Sequence, residues 1–415
     1  HVTGVQTCAL PILIHQKRRK ELLSQLDKDA LVIVTTNPEQ LRNGDVYYPF
    51  RADSDFWYLT GFGEPESVAV FSHKSYTVFL RDRDKAREIW DGKRLGVDDA
   101  PKTLKSDQAF SISLIKQELP KLIAKAKTVY YNSKPSKIDV KINKHLSNYQ
   151  SLTPFLHEMR LSKDNDEIKH MQNAVDISIK AHEMAMKQTK EGVYEYEIAS
   201  IFDGYFRKNN SQHAYTPIVA GGKNACVLHY IENNKPLKEG DLLLIDAGCE
   251  VEGYASDITR TFPISGKFSD AQKQIYQLVL DAQLQAIQSI KPGNNVSKPH
   301  QIASNTIRKG LIKLGLLEDD KELSEFYMHG TGHWLGLDVH DVGEYKQANS
   351  HRKFEPGMVT TVEPGIYIRK SDKINPVYWN IGIRIEDDVL VTKTGNKVLS
   401  QALAKEIDDI ELLMR

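Results

Sequence analysis

The chain has 415 residues, and its 55 acidic side chains balance its 55 Lys and Arg side chains, so the formal net charge is zero. This balance argues against nucleic acid or an anionic membrane as a partner, and no apolar run reaches the roughly 18 residues of a membrane span. The length predicts two domains, and three cysteines are too few for a disulfide framework, which predicts a cytoplasmic protein.

Residues 1–13 have neither the charge pattern nor the continuous apolar core of a signal peptide. The segment also shows no pattern that connects it to the elements that follow. We interpret it as a non-native extension and assign Cys8 no function.

Residues 14–157 are predicted to form a small mixed α/β domain, because short apolar and β-branched runs alternate with helical or looped segments. The predicted strands are Ala30–Thr35, Ser67–Phe71, Tyr76–Leu80 and Thr128–Tyr131, and the predicted helices are Gln16–Leu26 and Leu114–Ala126. The Lys-Arg-Arg-Lys cluster of the first helix is interpreted as a solvated face. Phe56 and Tyr58 are predicted core residues, whereas Trp90 is left open between the core and an exposed contact surface.

Two long amphipathic helices introduce an internal repeat in residues 158–415. Capping residues at Ser162–Glu167 precede the first, and Ser269-Asp-Ala-Gln has the spacing of a capping box before the second. Each is followed by a further helix containing Ile-Ala-Ser and then by a β region with two carboxylates. The region is therefore predicted to fold as two similar halves about a pseudo-twofold axis.

The β region of the first half carries Asp246 and Asp257 inside strand-like runs that Glu250–Gly253 joins as a turn. In a hairpin centred on that turn, the two carboxylates face each other across the ladder. Their repulsion requires a shared proton, an Arg or a divalent cation. The cation is the favoured interpretation.

Three further candidates interrupt apolar or glycine-bearing runs farther along the chain: His333, Glu363 and Glu386. Four carboxylates and one imidazole form a hard, oxygen-rich donor set that suits Mn(II), Co(II) or Zn(II). Because four carboxylates exceed the needs of one ion, a pair of ions with bridging carboxylates is predicted.

The sequence also resembles a known family, the Xaa-Pro aminopeptidases among the pita-bread metallopeptidases, from about Lys17 onward. The motifs that carry the resemblance are Ser54-Asp-Phe-Trp-Tyr, Ile89-Trp with Gly92-Lys-Arg-Leu-Gly, His157-Glu-Met-Arg-Leu, Leu228-His-Tyr, Asp246-Ala-Gly, Asp257-Ile-Thr-Arg-Thr-Phe-Pro, His333-Trp-Leu-Gly-Leu-Asp-Val-His-Asp-Val-Gly, Val362-Glu-Pro-Gly and Gly382-Ile-Arg-Ile-Glu-Asp-Asp. The resemblance implies an α/β creatinase-like N-terminal domain, followed by an α+β pita-bread catalytic domain with an internal pseudo-twofold repeat.

The resemblance further implies a site with two divalent metal ions, most simply Mn(II), and a bridging hydroxide that attacks the scissile carbonyl. It assigns Asp246 to one ion, His333 and Glu363 to the other, and Asp257 and Glu386 to both. Glu363 is expected to shuttle the water proton, while His229 and His340 contact substrate and stabilise the oxyanion. Further site residues are His329, Tyr367 and Arg384, together with Trp90 from a neighbouring subunit of a homodimer or homotetramer.

The expected reaction is release of the N-terminal residue from peptides with proline at the second position. A dipeptide-restricted prolidase is the alternative, because only the walls beyond the proline pocket separate the two activities. A non-peptidase of the same fold ranks far below both, since such relatives have lost ligands that this chain keeps.

Overall fold

The computed structural model of the protein describes residues 11–133, 136–146, 148–318 and 321–415. The chain divides into two compact units, the first ending at Met159 and the second comprising Arg160–Arg415. Cys8 and most of the predicted N-terminal extension lie outside the described residues. Among the helices that the structure describes, none is long and apolar enough to cross a membrane.

The first unit is built on a five-stranded mixed sheet. Its elements are α1 (Pro11–Ser24), β1 (Ala30–Thr35), β2 (Leu41–Asn43), β3 (Val46–Tyr47), α2 (Ser54–Thr60), β4 (Val68–Phe71), β5 (Tyr76–Leu80), α3 (Glu88–Asp91), α4 (Gly96–Leu104), β6 (Gln108–Ser111), α5 (Ile115–Ile123), β7 (Thr128–Tyr131), α6 (Lys137–Asn143) and α7 (Thr153–Leu161). The strand order is β6-β5-β4-β1-β7, with β1–β7 and β5–β6 parallel and the other pairs antiparallel. Residues of β1, β4 and α5 such as Ile33, Val70 and Leu119 form its core.

Most of the predicted elements of this unit are confirmed. β1, β5 and β7 have the predicted bounds, whereas β4 begins one residue later and α1 begins at Pro11 rather than Gln16. The sequence does not predict β6, because this edge strand is only partly buried and therefore lacks an apolar signal. Phe56 and Tyr58 are buried as predicted, and Trp90 is 83% exposed.

The prediction of a solvated basic face on α1 holds for Lys17 and Lys20, which are exposed, but it is wrong for the two arginines between them. Arg18 and Arg19 are each only 5% exposed. The Arg19 guanidinium lies 3.9 Å from the centre of the Tyr76 ring and donates a 2.6 Å hydrogen bond to the carbonyl of Leu59. A buried guanidinium of this kind is stabilised by an aromatic face and a backbone acceptor, neither of which a charge pattern reveals.

The second unit repeats one arrangement of helices and strands twice. Its elements are α8 (Asn165–Gln188), α9 (Glu195–Lys208), β8 (Gln212–His213), β9 (Ile218–Gly221), β10 (Leu242–Asp246), β11 (Cys249–Val251), β12 (Tyr254–Ala255), β13 (Thr259–Pro263), α10 (Asp270–Gln288), α11 (Lys298–Lys313), β14 (Lys346–Gln347), β15 (Ser350–His351), β16 (Val359–Val362), β17 (Gly365–Ile368), β18 (Ile381–Arg384), β19 (Asp387–Val391), β20 (Asn396–Val398) and α12 (Ile407–Leu413). Helix α8 packs on α9 and α10 on α11, as the predicted repeat requires. The predicted capping box of α10 is present, Ser269 with Gln272, and the capping residues predicted before α8 also form one, Asp164 with Glu167.

The predicted hairpin around Asp246 and Asp257 needs a correction. β10 pairs with β13 so that Asp246 lies opposite Thr259, and Asp257 lies two residues before the ladder begins. The chain leaves the ladder there, because β11 and β12 form a separate pair closed by Glu252 and Gly253, both with positive φ. Asp257 keeps the face of Thr259, since side chains two residues apart on an extended chain point the same way.

Candidate metal centre and active site

A cavity of about 450 Å³ in the second unit brings most of the predicted site residues together. Its wall contains all five candidate ligands and four further candidates: Asp246, Asp257, His333, Glu363, Glu386, His229, His329, His340 and Arg384. Tyr367 lies beneath the wall, 1% exposed, in contact with His329 and Arg384. Trp90 belongs to the first unit, on the short helix α3, so its contribution to a site stays a prediction.

Strand ends bring the four carboxylates together. β16 and β19 are antiparallel, and their last registered pair is Val362 with Asp387. Glu363 and Glu386 are the next residues beyond that pair, so their side chains leave the ladder at the same edge. The backbone N–H of Glu386 also donates to the carbonyl of Thr259 at 3.1 Å, which connects this edge to the strand opposite Asp246.

Three of the candidate ligands have donor atoms within 4.8 Å of one another: Asp257, His333 and Glu386. His333 Nε2 lies 3.3 Å from Asp257 Oδ2 and 3.7 Å from Glu363 Oε1. His333 Nδ1 lies 3.0 Å from the Trp334 carbonyl, which fixes the proton on Nδ1 and leaves Nε2 to face the carboxylates. This is the orientation of a ligating imidazole.

The carboxylates of this cluster carry more negative charge than the neighbouring side chains compensate. Burial, followed by the neighbouring carboxylates, raises the pKa of Asp257 and raises that of Glu386 well above its ordinary value. Burial likewise raises the pKa of Glu363 to about 7. Burial alone would lower the pKa of His333, but Asp257 and Glu363 outweigh it and raise that pKa to about 9. Divalent cations would remove this conflict, so the donor set fits a metal centre.

Asp246 is held from two sides. Arg384 Nη2 donates to its Oδ2 at 2.7 Å, and Tyr215 Oη donates to its Oδ1 at 2.6 Å. The sequence places Arg384 on the same face as Glu386, yet its direct partners are Asp246, Tyr367 and the Thr259 hydroxyl. Arg384 therefore orients the first-half carboxylate. Its hydrogen-bond connection to Glu386 runs through Thr259, whose hydroxyl donates to Glu386 at 2.6 Å.

A directional hydrogen-bond chain runs from Arg384 to the cavity wall. Arg384 Nη1 donates to Tyr367 Oη at 3.0 Å, and Tyr367 lies 2.8 Å from His329 Nε2. His329 Nδ1 lies 2.8 Å from the Gly330 carbonyl and must donate to it, so Nε2 accepts from the phenol. Burial lowers the pKa of His329 to about 4, which keeps this ring neutral at pH 7.

The other two histidines lie at the exposed side of the cavity. His229 precedes Tyr230 in an irregular segment, and His340 lies in the loop after His333. The His340 ring is edge-on to the His333 ring, with centres 4.4 Å apart. Burial lowers the pKa of His340, so its ring is a neutral hydrogen-bonding group beside the ligands at pH 7.

Three residues that contact the candidate ligands are missing from the sequence prediction. Tyr215 Oη lies 2.6 Å from Asp246 Oδ1 and 2.5 Å from Asp257 Oδ1, so one hydroxyl spans both aspartates. Thr259 supports Glu386, and Asp388, which is fully buried, accepts the backbone N–H of Asp257 at 3.1 Å. The sequence offers no signal for Tyr215, which is 31 and 42 residues from its partners.

Comparisons with known proteins agree with this geometry. The profile of metallopeptidase family M24 matches residues 169–393, and that of the aminopeptidase P N-terminal domain matches residues 15–130. A Xaa-Pro aminopeptidase of Haemophilus influenzae is 44% identical over 98% of this chain and 98% of its own length. This chain belongs to the Xaa-Pro aminopeptidases of metallopeptidase family M24.

Solved structures of this family have the same fold over nearly the whole chain. Aminopeptidase PepP of Pseudomonas aeruginosa superposes with a TM-score of 0.95 at 42% identity, over 98% of each chain. Escherichia coli aminopeptidase P with the inhibitor Pro-Leu has a TM-score of 0.93 at 39% identity, over 97% of this chain and 98% of that chain. Its zinc-substituted form in complex with product has a TM-score of 0.94. The predicted fold class and the predicted aminopeptidase function are confirmed, and the prolidase alternative is not favoured.

Proposed function

We propose that this protein releases the N-terminal residue from peptides with proline at the second position, using two divalent metal ions. The observation that carries the proposal is the convergence of three buried carboxylates, the partly buried Glu363 and one oriented imidazole on a single cavity, without enough cationic side chains to balance them. Membership of the family supports the type of reaction, and the cavity with its candidate ligands supports where in the protein the reaction takes place.

The five donors divide naturally between two ions. Following the family, we assign Asp246 to one ion, His333 and Glu363 to the other, and Asp257 and Glu386 to both. The donor atoms of Asp257 from the first half and of Glu386 from the second lie within 4.8 Å of one another, which supports their shared role. Two such ions supply Lewis-acid polarisation of the scissile carbonyl and lower the pKa of water. A set of mainly oxygen donors with a single nitrogen supports Mn(II) as the native metal, while the zinc-substituted relative supports tolerance of Zn(II).

The remaining residues of the site bind the substrate and handle its protons. Glu363, which lines the cavity beside His333, can take a proton from the attacking water and transfer it to the departing prolyl nitrogen. In this proposal His340 and His229 donate to the oxygen of the tetrahedral intermediate, and their position in the cavity lining supports that role. The chain from Arg384 through Tyr367 keeps His329 neutral and directed at the cavity.

The cavity wall also suits a proline ring. A prolyl nitrogen carries no hydrogen, so recognition must come from apolar contact rather than from amide donation. The wall offers Tyr215, Ile218, Leu228, Ile231 and Val339 for that contact. A carboxylate of the cluster is placed to bind the free α-amino group of the substrate.

The predicted oligomer and location complete the proposal. Trp90 is 83% exposed and its neighbour Ile89 is 82% exposed, which supports a contact with a second copy of the chain in a homodimer or homotetramer. Analytical ultracentrifugation of the protein and of Trp90→Ala tests this assignment. Two buried thiols, Cys226 and Cys249, support a reducing, cytoplasmic location.

The test of the reaction uses metal-free and Mn(II)-reconstituted protein with Ala-Pro, Ala-Pro-Ala and Ala-Ala-Ala. We expect Mn(II)-dependent release of Ala from Ala-Pro-Ala and no hydrolysis of Ala-Ala-Ala. Cleavage of Ala-Pro alone would transfer the assignment to the dipeptidase. Absence of hydrolysis with two ions bound would contradict the proposed chemistry.

A further inference from the structure

One wall of the cavity is formed by the segment Gly221–Lys235, which we call the His229 segment. It contributes Leu228, His229 and Ile231 to the lining. His229 and Ile231 are exposed, but Tyr230 between them is only 8% exposed and does not line the cavity. The position of Tyr230 therefore sets the positions of two cavity residues.

The hydrogen-bond acceptor of Tyr230 is Glu195, the first residue of α9. The Glu195 side chain has no exposed surface. Its Oε1 accepts the Gly221 N–H at 2.8 Å and the Asn224 side-chain amide at 2.9 Å. Its Oε2 accepts the Tyr230 hydroxyl at 2.8 Å and the Lys235 N–H at 3.0 Å. All four donors belong to the His229 segment, at its two ends and at its centre.

We propose that Glu195 is a positioning residue that fixes the His229 segment and so determines where His229 meets the substrate. The inference rests on the proposed function, because the contact of His229 with substrate is part of it. A buried carboxylate whose lone pairs are filled by four donors is a rigid anchor, and hydrogen bonds to an ionised acceptor are stronger than neutral ones. A displacement of about 1 Å at a substrate contact is enough to slow a reaction considerably.

A purely structural role for Glu195 is the competing explanation, and the chain offers a matched control. The Tyr254 hydroxyl donates to the Glu167 carboxylate at 3.0 Å, and Tyr254 is 3% exposed in the same unit, without lining the cavity. Tyr230→Phe and Tyr254→Phe therefore each remove one buried phenol–carboxylate hydrogen bond. Only the first of them acts on the His229 segment.

The kinetic test is a double-mutant cycle with His229→Ala on the Mn(II)-loaded enzyme and Ala-Pro-Ala. We expect Tyr230→Phe to lower kcat/KM about fivefold, mainly by raising KM, and to leave the metal content unchanged. In the His229→Ala background, the same substitution should change kcat/KM by less than about twofold. Glu195→Gln should lower kcat/KM more, because its amide NH₂ faces two donors. Tyr254→Phe should leave kcat/KM within about twofold. Equal effects of Tyr230→Phe in both backgrounds would overturn the inference.

A second readout does not depend on activity. Amide hydrogen exchange across residues 221–235 should accelerate in Tyr230→Phe and in Glu195→Gln and remain at the wild-type rate in Tyr254→Phe. Unchanged exchange in both anchor variants would overturn the inference even if the wild-type enzyme hydrolysed no Xaa-Pro peptide. Conversely, an active wild-type enzyme with a kinetically silent Tyr230→Phe would refute the positioning role and leave the proposed function standing.

Discussion

Three consecutive acidic residues, Glu386, Asp387 and Asp388, are buried to within 1% exposure, yet their surroundings are opposite. Asp387 lies 2.7 Å from Arg260 Nη2 and 2.6 Å from Lys405 Nζ. Burial alone would raise its pKa, but these two cations hold it well below its usual range. Among the described residues, no Lys or Arg forms an ion pair with Glu386 or Asp388. The pKa values of both are raised well above normal, first by burial and then by Asp257, and the charge of Arg384 offsets this only in part for Glu386.

The difference separates charges that build the scaffold from charges that serve the site. Asp387 also accepts hydrogen bonds from Ser400 and Gln283, so side chains of the protein satisfy both its charge and its hydrogen-bonding capacity. The cluster around Glu386 leaves its negative charge for cations that the chain does not supply. Two carboxylates that are adjacent in the chain can therefore differ in whether the protein's own cations neutralise their charge.

The largest expected effect comes from Glu386→Gln. It should lower kcat/KM for Ala-Pro-Ala at least about a thousandfold, because it removes a proposed bridging ligand. The metal-free protein should melt at or above the wild-type temperature, since a strained buried carboxylate is gone. Elemental analysis, peptide hydrolysis and thermal melting in EDTA measure these outcomes, with the exposed Glu239→Gln as control. Full activity with two ions bound would remove Glu386 from the ligand set.

Asp387→Asn should destabilise the fold strongly and affect activity little, the opposite of Glu386→Gln. Leaving Arg260 and Lys405 without their shared anion should cost about 3–5 kcal/mol of unfolding free energy. Guanidinium unfolding of the metal-loaded protein measures the loss, and kcat/KM of the remaining folded enzyme should fall far less than in Glu386→Gln. A change below about 1 kcal/mol would show that the cluster does not support the scaffold.

Metal removal should make stability depend on pH in a direction set by the raised pKa values. A group whose pKa is higher in the folded state contributes stability that is present at low pH and is lost as pH rises through that pKa. The pKa of Glu363 is about 7, so the metal-free protein should lose about 3 kcal/mol of unfolding free energy between pH 4.5 and 7. The pKa of His333 is about 9, so this loss of stability should continue to higher pH.

Melting curves in EDTA from pH 5 to 8, compared with curves in MnCl₂, measure this dependence. The metal-loaded protein should show a weaker pH dependence, because bound cations keep the carboxylates ionised. The low pKa of Asp387 acts in the opposite direction, but only at pH values below its ordinary range. If the metal-free protein became more stable as pH rises from 5 to 8, the carboxylates of the cluster could not lack cationic partners as we infer.

The smallest expected effect is that of Tyr215→Phe. Its hydroxyl contacts two proposed ligands without being one, so its removal should weaken metal affinity about tenfold and leave the stoichiometry intact. Calorimetric titration of the apo-protein with Mn(II) measures the affinity. The control is Tyr378→Phe, which removes an exposed hydrogen bond from the Tyr378 hydroxyl to Gln274. An unchanged affinity would mean that Asp246 and Asp257 need no tyrosine to hold their positions.

Sequence by itself determined much of this protein. Periodicity and capping residues identified the repeated helix pairs, and β-branched runs identified three strands of the first unit to the residue. The five candidate ligands were identified because charged residues inside apolar runs are conspicuous and because their motifs resemble one family. Such signals depend on residues close to one another in the chain.

Only the tertiary structure decided which groups meet. It placed Thr259 rather than Asp257 opposite Asp246, directed Arg384 to Asp246, and buried Arg18 and Arg19. It also brought Tyr215 onto the two aspartates and Glu195 onto Tyr230. The physical reason is that register, burial and the balance of charge around a carboxylate are set by segments distant in sequence. Glu386 and Asp387 are neighbours in the chain, yet the pKa of Glu386 is raised well above normal, whereas Asp387 is neutralised by Arg260 and Lys405.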